Sequence, residues 1–537
     1  MDSTENASSK QLELFNLNQF SLAKKVKIPV NFKSTIKQRY KLERHMSKFK
    51  PFREFGSPLV GLNPEAFLDY INKEISDGHL CKLVKEIVFL LDTEAIELKY
   101  SLSGQNSYHP KLLLSILFYG YATGVRSSRK LAEKCEKDFH FIYLMQCYTP
   151  DHRTISDFRK DNISEIKRYF VEILRIFDKL GYVEVGKIYV DGTKVRANAS
   201  ARRTKTGLQL DNWVSLLEGE IEKILQEVEN IDAREDESCR RSDDDYQLKR
   251  KLLRDKNLKE KIEEAKKKLK EEDKKKINVS DVNANHMKCG GSKDIRPSYN
   301  CEFAVTEDGV ITASEAVTEP NDQNQLQPMI EQTEINTNRE IEEVTADSGF
   351  GNYENYEYLE EKEIEGYVPD LNFQKYKSGE YEKEENRYHY SNFKYDAETD
   401  SYVCPEGEVL KYWKTRKNKT RYRQWNHKVY KGTACESCSK RSLCTKSKVR
   451  ELLTDIREPL LQVMRERLTS DEGKAKYFMR QYIIEPIFGH FKHNLGYRNF
   501  LLRGLEKING ELKLMCIGWN LKKMLKLGYT PKMIRNL

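Results

Sequence analysis

Two acids in this chain end short apolar runs that read as buried strands. Asp191 follows Ile188-Tyr189-Val190, and Asp347 follows Val344-Thr345-Ala346. A third, Glu485, sits in RQYIIEPIFGHFKHNLGYRNF, inside a long helical stretch. Carboxylates at strand ends project into one crevice, and a helix crossing the sheet can bring another. Three such oxygen ligands suit two Mg²⁺ (or Mn²⁺) ions about 3.5–4 Å apart, the arrangement that cleaves a phosphodiester. One acid at a strand end is a weak sign, because most of the 84 acids of a chain like this are solvated. Three at element ends are a reason to ask what positions them.

Cysteines make a second constellation. Cys404 stands in CPEG, and Cys435, Cys438 and Cys444 follow in CESCSKRSLC. A C-x₂-C knuckle with two further thiols fits a tetrahedral Zn²⁺ site. Zinc there would staple a polar stretch that has no core of its own, and free thiols are the alternative. Eleven cysteines, an odd number over 537 residues, do not look like a disulfide framework, so a reducing cytoplasm is expected.

Charge is segregated. The overall +9 conceals eleven Lys and Arg against Glu43 alone between Ser21 and Arg53, a net of +10. Residues 492–537 carry +8, while 331–370 carry −11. Basic ends around an acidic middle fit a protein that grips a polyanion. The longest uncharged apolar stretch, Leu112–Val125, is shorter than the ~20 residues of a membrane span.

The elements that must hold these groups can be read along the chain. Residues 1–56 form a basic, aromatic-containing arm expected to order on a partner. Residues 57–182 have helical apolar spacing, with His109-Pro110 opening one helix. Ser127–Leu131 opens another, and Thr149–Ser156 opens a third in a helix-turn-helix-like arrangement. That pair would offer Arg129, Arg153, Thr154 and Arg159 to DNA; a plain helical bundle with surface arginines is the alternative. A strand over Lys187–Asp191 comes next. A helical hairpin is inserted at 205–276, its turn expected within Asp232–Asp245. Residues 299–318 read as a β-hairpin around Glu307-Asp308-Gly309, followed by a helix near Gln323–Thr337. A strand over Ile341–Asp347, a helix over Asn352–Lys362 and a strand over Gly366–Val368 complete the series. Strand, hairpin, helix, strand, helix, strand is the order of an RNase H-like mixed sheet.

The motifs together resemble bacterial insertion-sequence transposases of the DDE class. The matching stretches are YHPKLLLSILFYGYATGVRSSRKLAE with PDHRTISDFRK, VDGTKVRANAS, AVTEPNDQNQLQPM, TADSGFGNYENYEYLEEKEIEGYVP and IIEPIFGHFKHNLGYRNFLLRGLEK. The resemblance implies a mixed α+β protein: a helical N-terminal DNA-binding domain ahead of an RNase H-like catalytic domain. It puts the acid triad at Asp191, Asp347 and Glu485, which are 156 and 138 residues apart. The family's Glu helix also carries a Lys, matched by Lys492. Seven residues are nearly two turns, so Lys492 is expected on the Glu485 face, within reach of a DNA phosphate. Tyr477 and Arg480 match upstream DNA contacts. Arg480 stands five residues before Glu485 where four is usual, a spacing that would turn it off that face. Asn321-Asp322 matches a recurrent pair and is expected to cap a helix. Four-cysteine segments like this one occur in the same subgroup.

The expected catalytic domain covers 183–370 and 451–526, with 371–450 as the polar cysteine segment and 527–537 as a basic tail. The expected function is binding of terminal inverted repeats, Mg²⁺-dependent cleavage and strand transfer to target DNA, by a homodimer that joins two ends. The alternatives are an inactive DNA-binding derivative of such an element and an RNase H-like nuclease.

Overall fold

The computed structural model describes residues 64–100, 106–181, 186–238, 243–289, 294–396, 398–419 and 424–536. The basic arm at 1–56 lies outside the described residues. The helical spacing that follows it folds as α1 (Pro64–Glu74), α2 (Leu80–Leu90), α3 (Pro110–Thr123), α4 (Ser128–Lys137), α5 (Phe139–Met145), α6 (His152–Asp161) and α7 (Ile163–Lys179). Local chemistry sets several starts. Pro110 opens α3, where a missing N–H costs nothing. Asp151 caps α6 by accepting from Arg153 N at 2.7 Å. Thr93–Pro110 belongs to a different compact unit from 54–92 and 111–537. Within it His109 Nε2 lies 3.6 Å from Glu97.

The central strand is β1 (Lys187–Arg196). It runs five residues past the expected end at Asp191, because its antiparallel partner stays in register from Ile188 to Arg196. Between β1 and that partner the chain makes the helical hairpin, α8 (Gly207–Ser238) and α9 (Asp243–Glu271). Its base is closed by β2 (Thr204–Lys205) pairing with β3 (Ile277–Asn278). Leu210, Val214, Leu217, Ile262 and Ala265 form its seam. The helices run further than expected, to Ser238 and from Asp243, so the turn is shorter than Asp232–Asp245.

The sheet resumes with β4 (Asn285–Lys288), β5 (Ile295–Thr306) and β6 (Ile311–Val317). The turn between β5 and β6 uses Gly309 at φ +79°, a conformation that suits a residue without Cβ. Then come α10 (Leu326–Thr337), β7 (Glu343–Ala346), α11 (Tyr353–Glu361) and β8 (Glu365–Tyr367). Across the sheet the order is β6 and β4, then β5, β1, β7 and β8, antiparallel up to β1 and parallel beyond it.

Residues 371–450 differ from expectation. They hold most of a separate antiparallel sheet of β9 (Lys394–Asp396), β10 (Ser401–Val403), β11 (Val409–Lys419), β12 (Gln424–Gly432) and β13 (Glu451–Asp455). This sheet has its own small core of Phe393, Tyr402, Leu410, Tyr430 and Leu452. Aromatic and β-branched residues spaced among lysines were enough to bury one face.

The chain ends in helices: α12 (Glu458–Thr469), α13 (Asp471–Ile483), α14 (Glu485–Gly489), a π-helical turn at His490–Asn494, and α15 (Leu505–Lys526). The expected basic tail is not loose. Pro531–Arg535 is a helical turn with Ile534 buried, and Arg535 reaches Glu86 on α2 at 3.3 Å. No helix among the described residues is long and apolar enough to cross a membrane.

Helix α15 guards the open edge of the sheet. Asn520 bonds both backbone groups of Ile311, at 2.9 and 2.8 Å, and Asn509 does the same at Ala316, at 2.7 and 3.2 Å. Unpaired strand groups are thereby closed off. On the same helix the buried Glu511 accepts from Leu501 N and Leu502 N, each at 2.9 Å. It also pairs at 3.3 Å with Arg126, which precedes α4. Glu511→Ala would strand two backbone donors and a guanidinium. It should lower stability by roughly 3 kcal/mol, seen as a drop in thermal midpoint, and Glu511→Gln should cost less.

Candidate active site

The parallel register of β1 and β7 pairs Lys187 with Glu343 and ends at Val190 opposite Ala346. Asp191 and Asp347 are the next residue on each strand, so the two acids come out side by side. There β7 stops. Asp347 turns back to accept from Gly349 N at 2.6 Å and caps the 3₁₀ turn Ser348–Phe350.

Glu485 arrives from the helices. Pro486 has no N–H to give the preceding turn, so α13 ends at Ile483 and Glu485 opens α14. The joint between them is Arg480. Its Nη1 donates to Asp191 Oδ2 at 2.6 Å and its Nη2 to Glu485 Oε1 at 3.3 Å. This corrects the expectation that a five-residue spacing turns Arg480 away: its long side chain lies between the carboxylates. The Tyr477 ring lies beside it, 5.8 Å from the guanidinium, and faces Asp347 and Asp191.

Two further acids crowd the same end of the sheet. Asp322 is not a helix cap: Gln325 precedes α10, and Asp322 Oδ1 instead accepts from Asn300 at 2.5 Å and Lys194 at 3.4 Å. Glu302 stands opposite Gly192 in the β1–β5 pair and is fully buried. A Cβ on Gly192 would fall 2.6 Å from its Oε2, and one on Gly349 would meet Asp347 and Asp322 oxygens at 2.9 and 3.0 Å. Both glycines are room for carboxyl groups. The signal for Glu302 was present in sequence, as one charge within the apolar run Tyr299–Val305.

Burial governs the electrostatics. It pushes Asp191 up to about 7, with Asp347 adding to the rise and Arg480 opposing it. Burial, reinforced by Asp322, raises Glu302 well above the usual carboxylate range. Neither of its oxygens has a hydrogen-bond donor beside it.

Lys492 does not continue the face of Glu485 along a regular helix. The break at Ile484 and the π turn intervene, and its Nζ donates to Thr193, two residues beyond Asp191 on the same face of β1. Arg129, Arg153 and Thr154 are exposed on α4 and α6. Arg159 is not available as a surface contact. It is buried, its Nη1 engaged with Tyr121 Oη at 3.1 Å and Arg126 O at 2.9 Å.

The cysteine constellation is drawn together. Cys404, Cys435, Cys438 and Cys444 line one hollow of about 30 Å³. Glu408 N donates to Cys404 Sγ at 3.3 Å and Arg450 N to Cys435 Sγ at 3.4 Å. Among the described residues, no group of three or more Asp, Glu, His or Cys side chains is placed to hold a metal ion. At the acid site the reason is visible: Arg480 stands where the charges meet, and Glu485 is 49% exposed.

The Arg480–Asp191 pair has a pH signature. A carboxyl whose folded value lies above its unfolded 3.8 costs stability as pH rises from the unfolded to the folded value, and the loss is complete above the folded value. Metal-free protein should therefore lose stability as pH rises from about 4 to about 7 and change little from this group beyond that. Arg480→Ala removes the compensating cation and raises the folded value further, so its destabilisation should be larger at about pH 8 than at about pH 5. Thermal midpoints in a chelating buffer check this; equal shifts at the two pH values would mean that the pair does not set the dependence.

Two families match the chain. One described as a transposase domain (DUF772) matches residues 69–161, which span α1 to α6. One described as a transposase DDE domain matches residues 403–525, covering the four cysteines, Tyr477, Arg480, Glu485 and Lys492. Asp191 and Asp347 lie ahead of the second match. No curated protein and no solved structure matches the chain. The two matches together, a transposase domain at 69–161 and a transposase DDE domain at 403–525, indicate an insertion-sequence transposase of the DDE class.

Proposed function

We propose that the protein binds the terminal inverted repeats of its own element, hydrolyses a phosphodiester at each end, and transfers the freed 3′-hydroxyl to target DNA. One observation carries this reading: the β1–β7 pairing ends with Asp191 and Asp347 as the next residue on each strand, and Arg480 ties Glu485 to Asp191. The strand order, antiparallel up to β1 and parallel beyond it, supports an RNase H-like catalytic domain.

The residues fit divalent cations. Five carboxyl groups meet where Arg480 and Lys194 are the positive partners, and the burial that raises Asp191 is the environment in which added positive charge binds best. Asp191 and Asp347 would hold both Mg²⁺ (or Mn²⁺) ions and Glu485 the second. Bound there, two ions supply activation of the attacking oxygen and stabilisation of the leaving oxygen. The chain does the rest. Arg480, released from its two ion pairs, has a guanidinium free for a DNA phosphate, and Tyr477 packs its stem. Lys492, held on β1, places a positive charge beside the strand that carries Asp191. Exposed Arg129, Arg153 and Thr154 serve end binding. Two ends must be joined in one complex, so the working form is a homodimer, with the α8–α9 hairpin as its contact.

Zinc fits the four cysteines. Backbone N–H groups donate to the Cys404 and Cys435 sulfurs, and Gly432 leaves room for Cys435, whose sulfur a Cβ there would meet at 2.2 Å. Zinc would lock the hollow beneath the β9–β13 sheet, next to the basic residues Lys440, Arg441, Lys446 and Lys448.

Incubation with element-end DNA and Mg²⁺ should give nicks at the repeat ends. Asp191→Asn, Asp347→Asn and Glu485→Gln should each cut at least a hundredfold more slowly while still binding DNA. Unchanged cutting by Asp191→Asn would sink the assignment, and cutting indifferent to the ends would favour a general nuclease. Metal analysis of purified protein should find one zinc per chain, and none in Cys435→Ser/Cys438→Ser. Zinc-free wild type would end that part of the proposal.

A further inference from the structure

At its far end β1 leaves the carboxylates and enters a different chemistry. Arg196, its last residue, lines an open hollow of about 720 Å³ together with Arg203, Arg296, Arg498 and Arg503. All five are exposed. Lysine outnumbers arginine nearly two to one in the chain, yet no lysine lines this hollow. A guanidinium fork engages two phosphate oxygens at once, whereas an ammonium is a point charge. Little acid opposes the five. Asp294 pairs with Arg296 at 2.9 Å, and Asp281, which faces Arg503, is buried and holds Tyr299 Oη at 2.8 Å.

The walls are tied together by backbone hydrogen bonds, and the Arg498 and Arg503 heads keep free donors. Arg196 N donates to Arg498 O at 3.2 Å, Phe500 N to Arg196 O at 2.9 Å, and Ala197 N to Pro297 O at 2.9 Å. Asn198 Nδ2 holds Leu501 O at 2.6 Å, and Glu511 holds the next turn of the same loop. Arg498 Nε is fixed on Lys492 O at 3.2 Å and Arg503 Nε on Asn198 O at 2.7 Å. The Nη groups of both donate to no described residue. Such a surface has its charges placed in advance and still available to a ligand.

Position supplies the register. Five residues of strand separate Asp191 from Arg196, about 16 Å at ~3.3 Å per residue, with the two side chains on opposite faces of β1. Along one DNA strand that is about five nucleotides at ~3.4 Å each.

We propose that this arginine hollow clamps the DNA phosphate backbone about five nucleotides from the bond that is cut. The inference rests on the transposase reading and adds a binding site to it. The contact is to phosphates and carries no base preference, so it sets where the duplex lies along β1 rather than which sequence is bound.

The test uses full-length protein and two end-containing duplexes, one continuing about ten base pairs on each side of the mapped nick and one stopping about three pairs from it on both. Arg196→Gln/Arg498→Gln should bind the long duplex at least tenfold more weakly. The slope of log affinity against log salt should fall by about 2, close to 0.9 for each phosphate that is no longer neutralised. On the short duplex wild type and variant should bind alike. Arg196→Gln alone, whose side chain hydrogen-bonds to no described residue, should show about half the change in slope and guards against a folding defect. Equal affinity and equal slope on the long duplex would overturn the clamp while nicking by wild type leaves the transposase reading standing. Wild type that neither binds nor nicks either duplex would overturn both.

Discussion

The structure depends on holding five carboxyl groups at one end of one sheet. Like charges at this density, partly out of water, repel strongly, and the fold answers with three separate devices. Arg480 spans Asp191 and Glu485. Lys194 and Asn300 share Asp322. Burial and the neighbouring Asp322 favour the protonated form of Glu302. Each device leaves the cluster short of full neutralisation.

That requirement explains features that otherwise look irregular. Pro486 breaks the helix so that Glu485 can start a new one over the sheet, and the π turn after α14 brings Lys492 back onto β1. Phe488 and Phe491 meanwhile pack on Phe303, whose neighbour across β1 is Asp191. A continuous helix from Asp471 to Asn494 would carry these side chains around its axis in sequence and could not present all of them to one strand.

Polar groups are placed on the far side of the sheet with as much constraint. Asn509, Glu511, Lys513 and Asn520 of α15 are buried, and each holds backbone of β6 or of the loop at 501–502. That loop continues into the arginine hollow. One helix thus closes the sheet edge and steadies a basic surface, while the acid cluster lies midway along β1. Acids midway and arginines at the end of a single strand give a polyanion a direction to lie in.

Much of this was legible in the residues. Val190-Asp191 and Ala346-Asp347 had the look of buried strands ending in acids, the hairpin at Asp308-Gly309 had its turn residues, and α4 and α6 had their caps. These are local properties, written in spacing and side-chain chemistry over a few residues. Other features were not local. That β1 runs on to Arg196 depends on the length of β5, a strand contributed from beyond the helical hairpin. The core of the cysteine segment depends on five aromatic and aliphatic residues spread over 393–452 closing on each other. Arg159 looked like a surface cation because its helix was amphipathic, and only packing against Tyr121 and Arg126 buried it. Arg480 is the clearest case. Helical spacing turned it away from Glu485, but a guanidinium on a long flexible stem goes where the negative potential is deepest, and that depth exists only once strands from distant parts of the chain have brought their acids together.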